Sequence, residues 1–262
     1  MRFVTSLFKV LLIPAALLAF DSCRTVPITG RTQFILSSDS NEQALGLQAF
    51  KQYKTQYSRS SNATYNAALS RVGRNVTAVT PDEGYSWEFI VFASNEQNAF
   101  CLPGGKIAMY SGIMDLMRNE AELAFVTSHE IAHAIARHYG ERQSWTNAVK
   151  LGSAALAAST ETSAETYEAL SKYAVILPFS RSDEYEADRI GMILMARAGY
   201  NPDAAVEFWS RFTEGSNTSY LSGLMSTHPR DAERIAAMRK VLPTARAEYA
   251  KCATKRGYGA SL

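Results

Sequence analysis

Apolar residues recur three or four positions apart along most of the chain, and this spacing predicts helices. The first predicted helix covers residues 39–57 and the second covers residues 62–77. The inward positions of the first are Ala44, Leu45, Leu47, Phe50 and Tyr53, and those of the second are Tyr65, Leu69, Val72 and Val76. Both helices are expected to cover the core of one domain.

The spacing changes to that of β-strands in the next part of the chain. Residues 87–92 are rich in β-branched and aromatic side chains, which favours a strand. Residues 98–102 and 106–110 flank the turn sequence Pro103-Gly104-Gly105, which predicts a β-hairpin. The expected fold class is α+β, mostly helical, with a small antiparallel β-sheet beside the helix that follows. The hairpin is either a structural element or an exposed edge to which an extended peptide adds as a strand.

The helix after the hairpin carries the clearest chemistry of the chain. It is predicted to start near Asn119 and to finish near Gly140. His129 and His133 are four residues apart, so their side chains lie only about 40° apart around the helix axis. Two imidazoles can supply neutral nitrogen ligands to Zn²⁺, and the carboxylate of Glu130 beside them can take a proton from water. This is the chemistry of peptide hydrolysis.

Three polar residues can share a helix by coincidence, but the positions that flank these three are apolar. An imidazole or carboxylate that is buried without a partner costs free energy, so a metal ion explains the segment better. His138 follows His129 by nine positions. That spacing is about 180° around a continuous helix, so His138 is predicted to face away from the metal and to interact with the C-terminal helix dipole.

A site with two histidines needs a third protein ligand. The chain lacks the third histidine of one common extended motif, because Ala136 and Tyr139 occupy the positions of its glycine and histidine. The best candidate segment is residues 180–191, which begin a helix. Glu184 and Asp188 are four residues apart on one face of that helix. Glu184 would bind Zn²⁺, and Asp188 would accept the ring proton of a ligand histidine.

The same segment could instead be a solvated charged face, and its spacing does not choose between Glu184 and Glu186 as the ligand. A resemblance adds information here. Its two motifs are His129-Glu130-x-x-His133 and Ser180-Arg181-x-x-Glu184-Tyr185-x-Ala187-Asp188-x-x-Gly191. Together they resemble the zinc metalloendopeptidase family that includes the CAAX prenyl proteases, the HtpX-type membrane proteases and the mitochondrial Oma-type protease.

Two further segments are similar to the periplasmic lipoprotein branch of that family, the BepA-like and LoiP-like proteins. They are Thr25-Val26-Pro27-Ile28-Thr29-Gly30-Arg31 after a cysteine and Asn98-Ala99-Phe100-x-Leu102-Pro103-Gly104-Gly105. The resemblance implies a zincin-like metallopeptidase domain with one Zn²⁺ per chain. It also implies that Glu184 is the third ligand, that the hairpin flanks the cleft and that the substrates are unfolded or misassembled envelope proteins.

His228 lies in the segment Ser226-Thr227-His228-Pro229, before a helix predicted at residues 231–241. On its own, a histidine before a proline is typical of a surface turn or a cap. In the family this segment lies close to the metal. His228 therefore resembles a residue that stabilises the oxyanion or covers the zinc as a removable fourth ligand. Arg234 follows in the same segment and could contact the site.

The first 22 residues are predicted to be a secretory signal. Their apolar run, residues 10–20, is too short to span a bilayer as a stable helix. Cys23 follows the small residue Ser22 shortly after this run, as at a bacterial lipoprotein cleavage site, and is the predicted site of lipidation. The alternative is a plain secretory cut nearby, which would leave a soluble protein. The protein is expected in the bacterial periplasm, lipid-anchored to a membrane, with the outer membrane favoured. The predicted divisions are a signal peptide at 1–22, a lipoprotein tether at 23–38, a zinc metallopeptidase domain at 39–245 and a tail at 246–262.

Composition and charge limit the classes of partner. The 262 residues are 47% hydrophobic and 20% charged, which is enough for one full core. The net charge is +2 and no run of lysine or arginine is present, so nucleic-acid binding is unsupported. In an oxidising compartment Cys101 and Cys252 could form a disulfide, or Cys101 could remain a free thiol.

The sequence leaves two alternatives open. Residues 144–179 are either a helical hairpin packed on the domain, which the pattern favours, or a mobile lid over the cleft. The protein is either a peptidase or a periplasmic chaperone or assembly factor in which zinc shapes the fold and substrate is held. The position of Glu130 between the two histidines favours the enzyme.

Overall fold

The computed structural model describes residues 23–160, 162–172, 177–214, 228, 232–257 and 261. It confirms an α+β fold that is mostly helical with two small sheets. The strands are β1 (Cys23–Thr25), β2 (Thr32–Phe34), β3 (Glu88–Phe92), β4 (Ala99–Leu102) and β5 (Lys106–Tyr110). The helices are α1 (Asp39–Gln56), α2 (Ala63–Thr77), α3 (Ser111–Met114), α4 (Glu120–Ile135), α5 (His138–Ala157), α6 (Ala164–Ser171), α7 (Leu177–Arg197), α8 (Asp203–Glu214) and α9 (Ala232–Lys251).

The two helices predicted from apolar spacing are confirmed as α1 and α2, but the predicted inward face of α1 was wrong in part. Leu45 and Leu47 are exposed, and the buried face consists of Glu42, Gly46 and Phe50. The side chain of Ser38 caps α1 by accepting a hydrogen bond from the backbone N–H of Asn41. The side chain of Asn62 caps α2 in the same way, with Tyr65 as the donor. The inward face of α2 is buried against α4 and β3, as expected of an amphipathic helix on a core.

The sheet beside α4 is mixed, so the prediction of an antiparallel sheet was wrong for one pair of strands. β4 and β5 form the predicted antiparallel hairpin, with Cys101 opposite Ile107. β3 pairs with β5 in parallel, with Ile90 opposite Ala108. The reason is the strand order β3-β5-β4: the chain leaves β3, builds β4 at the outer edge and returns through the hairpin into the centre. β4 is therefore one of the two edge strands of this sheet, and it packs on α4.

Helices α4 and α7 pack against each other at the centre of the molecule. The side chain of Asn119 caps α4, and the first-turn residues Glu120 and Glu122 are stabilised by the helix dipole. Gly191 allows α7 to approach closely, because a Cβ at this position would lie 3.0 Å from the backbone nitrogen of His129. The surrounding core residues are apolar and almost completely buried: Leu123, Phe125, Ile131, Ile190 and Leu194.

The helix α4 ends earlier than predicted. It stops at Ile135, and Arg137 adopts a left-handed backbone conformation, with φ of 47°, before α5 begins at His138. The guanidinium of Arg137 is held by Glu42 on α1, at 2.6 and 3.1 Å. The prediction of one continuous helix to Gly140 was wrong because a contact from a distant helix stabilises the break. The sequence around Arg137 does not indicate that contact.

The segment predicted to be an extended tether is instead folded onto the domain. β1 and β2 pair as an antiparallel hairpin, and the side chains of Val26 and Gln33 are buried. Gln33 Nε2 donates a hydrogen bond to the carbonyl of Ala136, at the end of α4, at 2.8 Å. The apolar and amide side chains of this segment explain the difference, since burying them requires a fixed hairpin.

The C-terminal segment also differs from its prediction. The last helix, α9, continues to Lys251, past the predicted domain limit at residue 245. The backbone N–H of Arg256 then donates to the carbonyl of Gly199 at 2.7 Å, so residues beyond the helix pack on the domain. Cys101 and Cys252 are free thiols on β4 and after α9, and the disulfide considered for them is not formed.

Three other predictions concern the membrane and the middle of the chain. The predicted signal at 1–22 lies outside the described residues, and lipidation of Cys23 stays a prediction. No helix within the described residues has both the length and the apolar character that crossing a membrane requires. Helices α5 and α6 pack against each other in the region where a helical hairpin was predicted.

Candidate metal centre

Four potential metal ligands converge where α4 meets α7. His129 and His133 project from α4, Glu184 projects from α7, and His228 precedes α9. One ligand atom from each residue lies within 4.8 Å of the ligand atoms of the other three. His129, Glu184 and His228 are buried, whereas His133 is partly exposed. The structure therefore brings together all the ligands that the sequence and the resemblance indicated.

The ligand atoms face one another at short distances. His133 Nε2 lies 3.1 Å from His129 Nε2 and 3.3 Å from Glu184 Oε1. His228 Nδ1 lies 2.9 Å from Glu184 Oε2 and 3.2 Å from His129 Nε2. Three imidazoles and one carboxylate form a donor set of the type that zinc prefers. A cation between these atoms would satisfy lone pairs that otherwise point at each other.

His129 is supported directly by a carboxylate. Its Nδ1 lies 3.0 Å from Asp188 Oδ1, a short contact between the ring and the carboxylate. Burial disfavours protonation of His129, but the carboxylates of Asp188 and Glu184 outweigh burial and raise its pKa to about 10. Burial raises the pKa of Glu184, but His228 and His133 outweigh it and lower that pKa well below its usual value.

Arg234 belongs to the same site. Its guanidinium donates two hydrogen bonds to Asp188, each of 2.8 Å, and Nη1 lies 3.1 Å from Glu184 Oε2. The guanidinium also lies over the ring of Trp209, 4.6 Å from the ring centroid. The sequence indicated Arg234 only as a residue that could contact the site. Its closeness to α7 in space cannot be derived from its position in the sequence. The structure shows that it ties Asp188 to Glu184.

His133 is supported by a second histidine rather than by a carboxylate. Its Nδ1 lies 2.8 Å from His138 Nδ1, and His138 Nε2 lies 3.1 Å from Glu186 Oε2. The prediction that His138 faces away was wrong, because the break at Arg137 ends the helical geometry on which it rested and turns the ring back towards α4. Glu186, the other candidate ligand, is not among the four converging groups. Burial lowers the pKa of His133 well below its usual value.

The predicted base and a cleft lie beside the ligands. Glu130 is buried, and its Oε1 is 3.4 Å from His228 Nε2. A cleft of about 310 Å³ opens next to His133 and is partly lined by Cys101 and Pro103. These two residues belong to the β4–β5 hairpin. The hairpin therefore flanks the cleft, as the resemblance implied.

Residues 61–242 match Peptidase family M48, and this stretch includes every residue of the converging cluster. The chain belongs to peptidase family M48. This M48 peptidase is a metallopeptidase, and the family membership predicted from its motifs is confirmed.

Its relatives include mitochondrial and bacterial proteases. It is 34% identical to the mitochondrial metalloendopeptidase OMA1 of Schizosaccharomyces pombe over 91% of this chain and 72% of that protein. It is 34% identical to OMA1 of Arabidopsis thaliana over 68% of this chain and 34% of that protein. It is 26% identical to the beta-barrel assembly-enhancing protease of Escherichia coli K12 over 84% of this chain and 47% of that protein. The M48 peptidase thus spans between about a third and three quarters of these relatives.

Proposed function

We propose that this M48 peptidase is a zinc-dependent endopeptidase of the bacterial cell envelope that hydrolyses unfolded or misassembled proteins. The observation that carries the proposal is the convergence of His129, His133 and Glu184 beside Glu130 and an edge strand. The names of the relatives support peptide hydrolysis, and the name of the Escherichia coli relative supports a role linked to beta-barrel assembly.

The site fits one zinc ion. His129, His133 and Glu184 would hold it, since their ligand atoms already converge and the other ring nitrogen of each histidine lies within 3.0 Å of a polar atom of Asp188 or His138. When bound, the ion supplies a Lewis acid that polarises a peptide carbonyl and lowers the pKa of water towards about 7. Asp188 orients His129 by accepting its Nδ1 proton.

Glu130 is the proton carrier in this mechanism. Its carboxylate takes a proton from the water that attacks the peptide carbonyl and then delivers it to the leaving amine. Burial on α4 fixes the carboxylate next to the ligands, and this removes the entropy cost of bringing base and water together.

His228 contacts both parts of the site. Its Nδ1 is in the ligand cluster and its Nε2 is beside Glu130, so in the proposed site the ring would share the space that water or a substrate carbonyl needs. Hydrolysis would then require the ring to move, after which it could donate a hydrogen bond to the oxyanion. Both roles suggested by the resemblance, the removable cover and the oxyanion donor, are consistent with this position.

An extended substrate fits beside the hairpin. Among the described strands β4 pairs only with β5, so its outer edge carries unpaired backbone groups. A peptide that adds to this edge would run past His133 along the cleft. Recognition through backbone hydrogen bonds favours unfolded chains of many sequences over one folded partner.

The decisive variant is Glu130→Gln. It should retain one zinc ion per chain and lose casein cleavage by a factor of about 100 to 10,000, because the proton carrier is lost while the ligands remain. Glu207→Gln, at an exposed position on α8, is the control and should cleave at the wild-type rate. Cleavage by Glu130→Gln at the wild-type rate would exclude the proposed mechanism.

The second candidate function is that of a chaperone or assembly factor, favoured by the assembly role in the name of a relative. Zinc-loaded Glu130→Gln separates the two functions. If the variant still suppresses aggregation of an unfolded protein but wild type does not cleave it, holding is the function.

Envelope location is tested by fractionating cells that express the chain or Cys23→Ser. Loss of membrane association in the variant supports the lipid anchor.

A further inference from the structure

A chain of polar contacts links the N-terminal hairpin to the metal centre. In the turn between β1 and β2, Thr29 Oγ1 donates to Glu186 Oε1 at 2.5 Å, and Arg31 Nε donates to Glu186 Oε2 at 2.8 Å. Glu186 Oε2 also lies 3.1 Å from His138 Nε2. His138 Nδ1 lies 2.8 Å from His133 Nδ1. Four side chains thus lead from an N-terminal turn to the ring of a metal ligand.

The direction of these hydrogen bonds is determined by the carboxylate at their centre. The ionised Glu186 only accepts, so His138 donates through Nε2–H. With its proton on Nε2, His138 has a lone pair on Nδ1, which accepts from His133 Nδ1–H. The lone pair of His133 is left on Nε2, which is the nitrogen that faces His129 and Glu184. This is the tautomer that a metal ligand needs.

The hairpin is built to hold Glu186. Ile28 and Gly30 both have a φ of 72°, a left-handed conformation that is costly for a β-branched residue such as isoleucine. This backbone presents the intervening Thr29 to Glu186. Arg31 also forms a two-point contact with Glu141 on α5, at 2.9 and 2.7 Å. Its guanidinium is therefore fixed between two helices.

From these contacts we infer that the β1–β2 hairpin is a working part of the metal centre, in which Thr29 and Arg31 position Glu186, and Glu186 acts through His138 to fix the tautomer and orientation of His133. This inference rests on the proposed metal site. It gives the segment 25–31 a function that its resemblance to lipoproteins does not state. The four residues are positioning residues, because none of them touches the reacting atoms.

The first experiment measures zinc affinity of the full chain by competition with a chromogenic chelator. Arg31→Gln and Glu186→Gln should each weaken zinc binding by about 10- to 100-fold, as is usual when the partner of a ligand histidine is lost. Arg24→Gln is the matched control, because Arg24 lies in the same hairpin but pairs with Glu83, away from the site. Glu207→Gln is the control for the loss of a carboxylate.

His138 is tested by a pair of variants. His138→Phe keeps a ring but removes both nitrogens, so it should weaken zinc binding by about 10- to 100-fold. His138→Asn restores an acceptor for His133 Nδ1–H and should recover part of that affinity. A purely structural role of His138 predicts the opposite order, since phenylalanine fills the buried space better than asparagine.

A spectroscopic measurement on the zinc-loaded protein reads the tautomer of His133 directly. Ring ¹⁵N spectra of the zinc-loaded chain should show His133 protonated at Nδ1, and Glu186→Gln should shift that signal while Arg24→Gln leaves it unchanged. If wild type binds no zinc, the proposed function fails. If wild type binds zinc and cleaves casein, but the Arg31, Glu186 and His138 variants bind zinc like wild type, only the role of the hairpin is overturned.

Discussion

The two ligand histidines of α4 are supported in different ways. His129 lies where α4 and α7 touch, and its Nδ1 meets Asp188 directly. His133 lies one turn later, where α4 is about to end, and reaches Glu186 only through His138. Both carboxylates project from α7, two residues apart. The same task, fixing a ring tautomer, is therefore performed once by direct packing and once by a relay.

The difference follows from the position of each histidine in the fold. At His129 the helices are close enough for a carboxylate, because Gly191 has no side chain. Near His133 a ring from the start of α5 fills the gap, and the N-terminal hairpin holds the far end. The support of His129 is therefore part of the core, whereas the support of His133 lies at the edge of the domain. Disturbing the first should damage folding, and disturbing the second should damage the metal site with less effect on folding.

The largest difference is expected between Asp188→Ala and Glu186→Ala. Loss of Asp188 leaves the buried guanidinium of Arg234 without its main partner, which should cost about 3 to 5 kcal/mol of unfolding free energy. Loss of Glu186 should cost less, because Arg31 is partly exposed and keeps Glu141. Urea unfolding of the metal-free variants measures both values. Equal losses would show that the two supports do not differ as proposed.

Gly191→Ala should disturb the packing of α7 against α4 around His129 and leave the support of His133 unchanged. The added methyl group would lie 3.0 Å from the backbone nitrogen and 3.1 Å from the Cα of His129, and backbone atoms in a packed helix cannot move aside. Such overpacking costs about 1 to 3 kcal/mol. Gly152→Ala on α5, where a Cβ meets nothing within 4 Å, is the control and should be neutral or stabilising. Urea unfolding and zinc affinity are measured on both variants, and a Gly191→Ala protein as stable as wild type contradicts close packing.

The two histidines should also differ in how they bind protons. At pH 7 in the metal-free protein, both ring nitrogens of His129 are protonated, because its pKa is about 10. His133 is neutral and has one ring proton, because its pKa is lowered. Zinc must displace one proton, so its apparent affinity should rise about tenfold per pH unit, or about 1.4 kcal/mol. Without zinc, the pairing of His129 stabilises the fold fully below pH 6.5, and this stability is lost as the pH rises towards 10.

Calorimetric titration of zinc in two buffers of different ionisation enthalpy measures the number of protons released. One proton per ion is expected. Release of two protons would mean that both histidines are protonated in the metal-free site. Release of none would mean that Asp188 and Glu184 do not hold the proton on His129.

The sequence predicted the His129 side of the site better than the His133 side, and the reason is physical. Residues four apart on a helix share a face, so the pairs on α4 and α7 could be found from spacing alone. The resemblance then separated Glu184 from Glu186. The relay could not be found in this way, because it requires the break at Arg137, and that break depends on Glu42 from another helix. The parallel pairing of β3 is a similar case, since it depends on how the chain crosses the sheet.

The hairpin shows the same limit. A proline and a glycine in a polar segment are typical of a tether, and only the contacts of Thr29 and Arg31 with α5 and α7 reveal a folded element. A segment that acts through contacts with distant residues shows little hydrophobic periodicity of its own. Its motif was visible as a resemblance, but the physical reason for the motif needed the positions of Glu141 and Glu186.

The smallest effect is expected for Thr29→Val, which keeps the shape of the side chain and removes one hydrogen bond to Glu186. Loss of such a bond costs about 1 kcal/mol, so zinc affinity should fall about fivefold. The effect is smaller than that of Arg31→Gln because Arg31 and His138 still hold the other oxygen of Glu186. Thr25→Val, at an exposed position in β1, is the matched control. If both valine variants weaken zinc binding equally, the hairpin contributes through its stability; if only Thr29→Val does, it contributes through the orientation of Glu186.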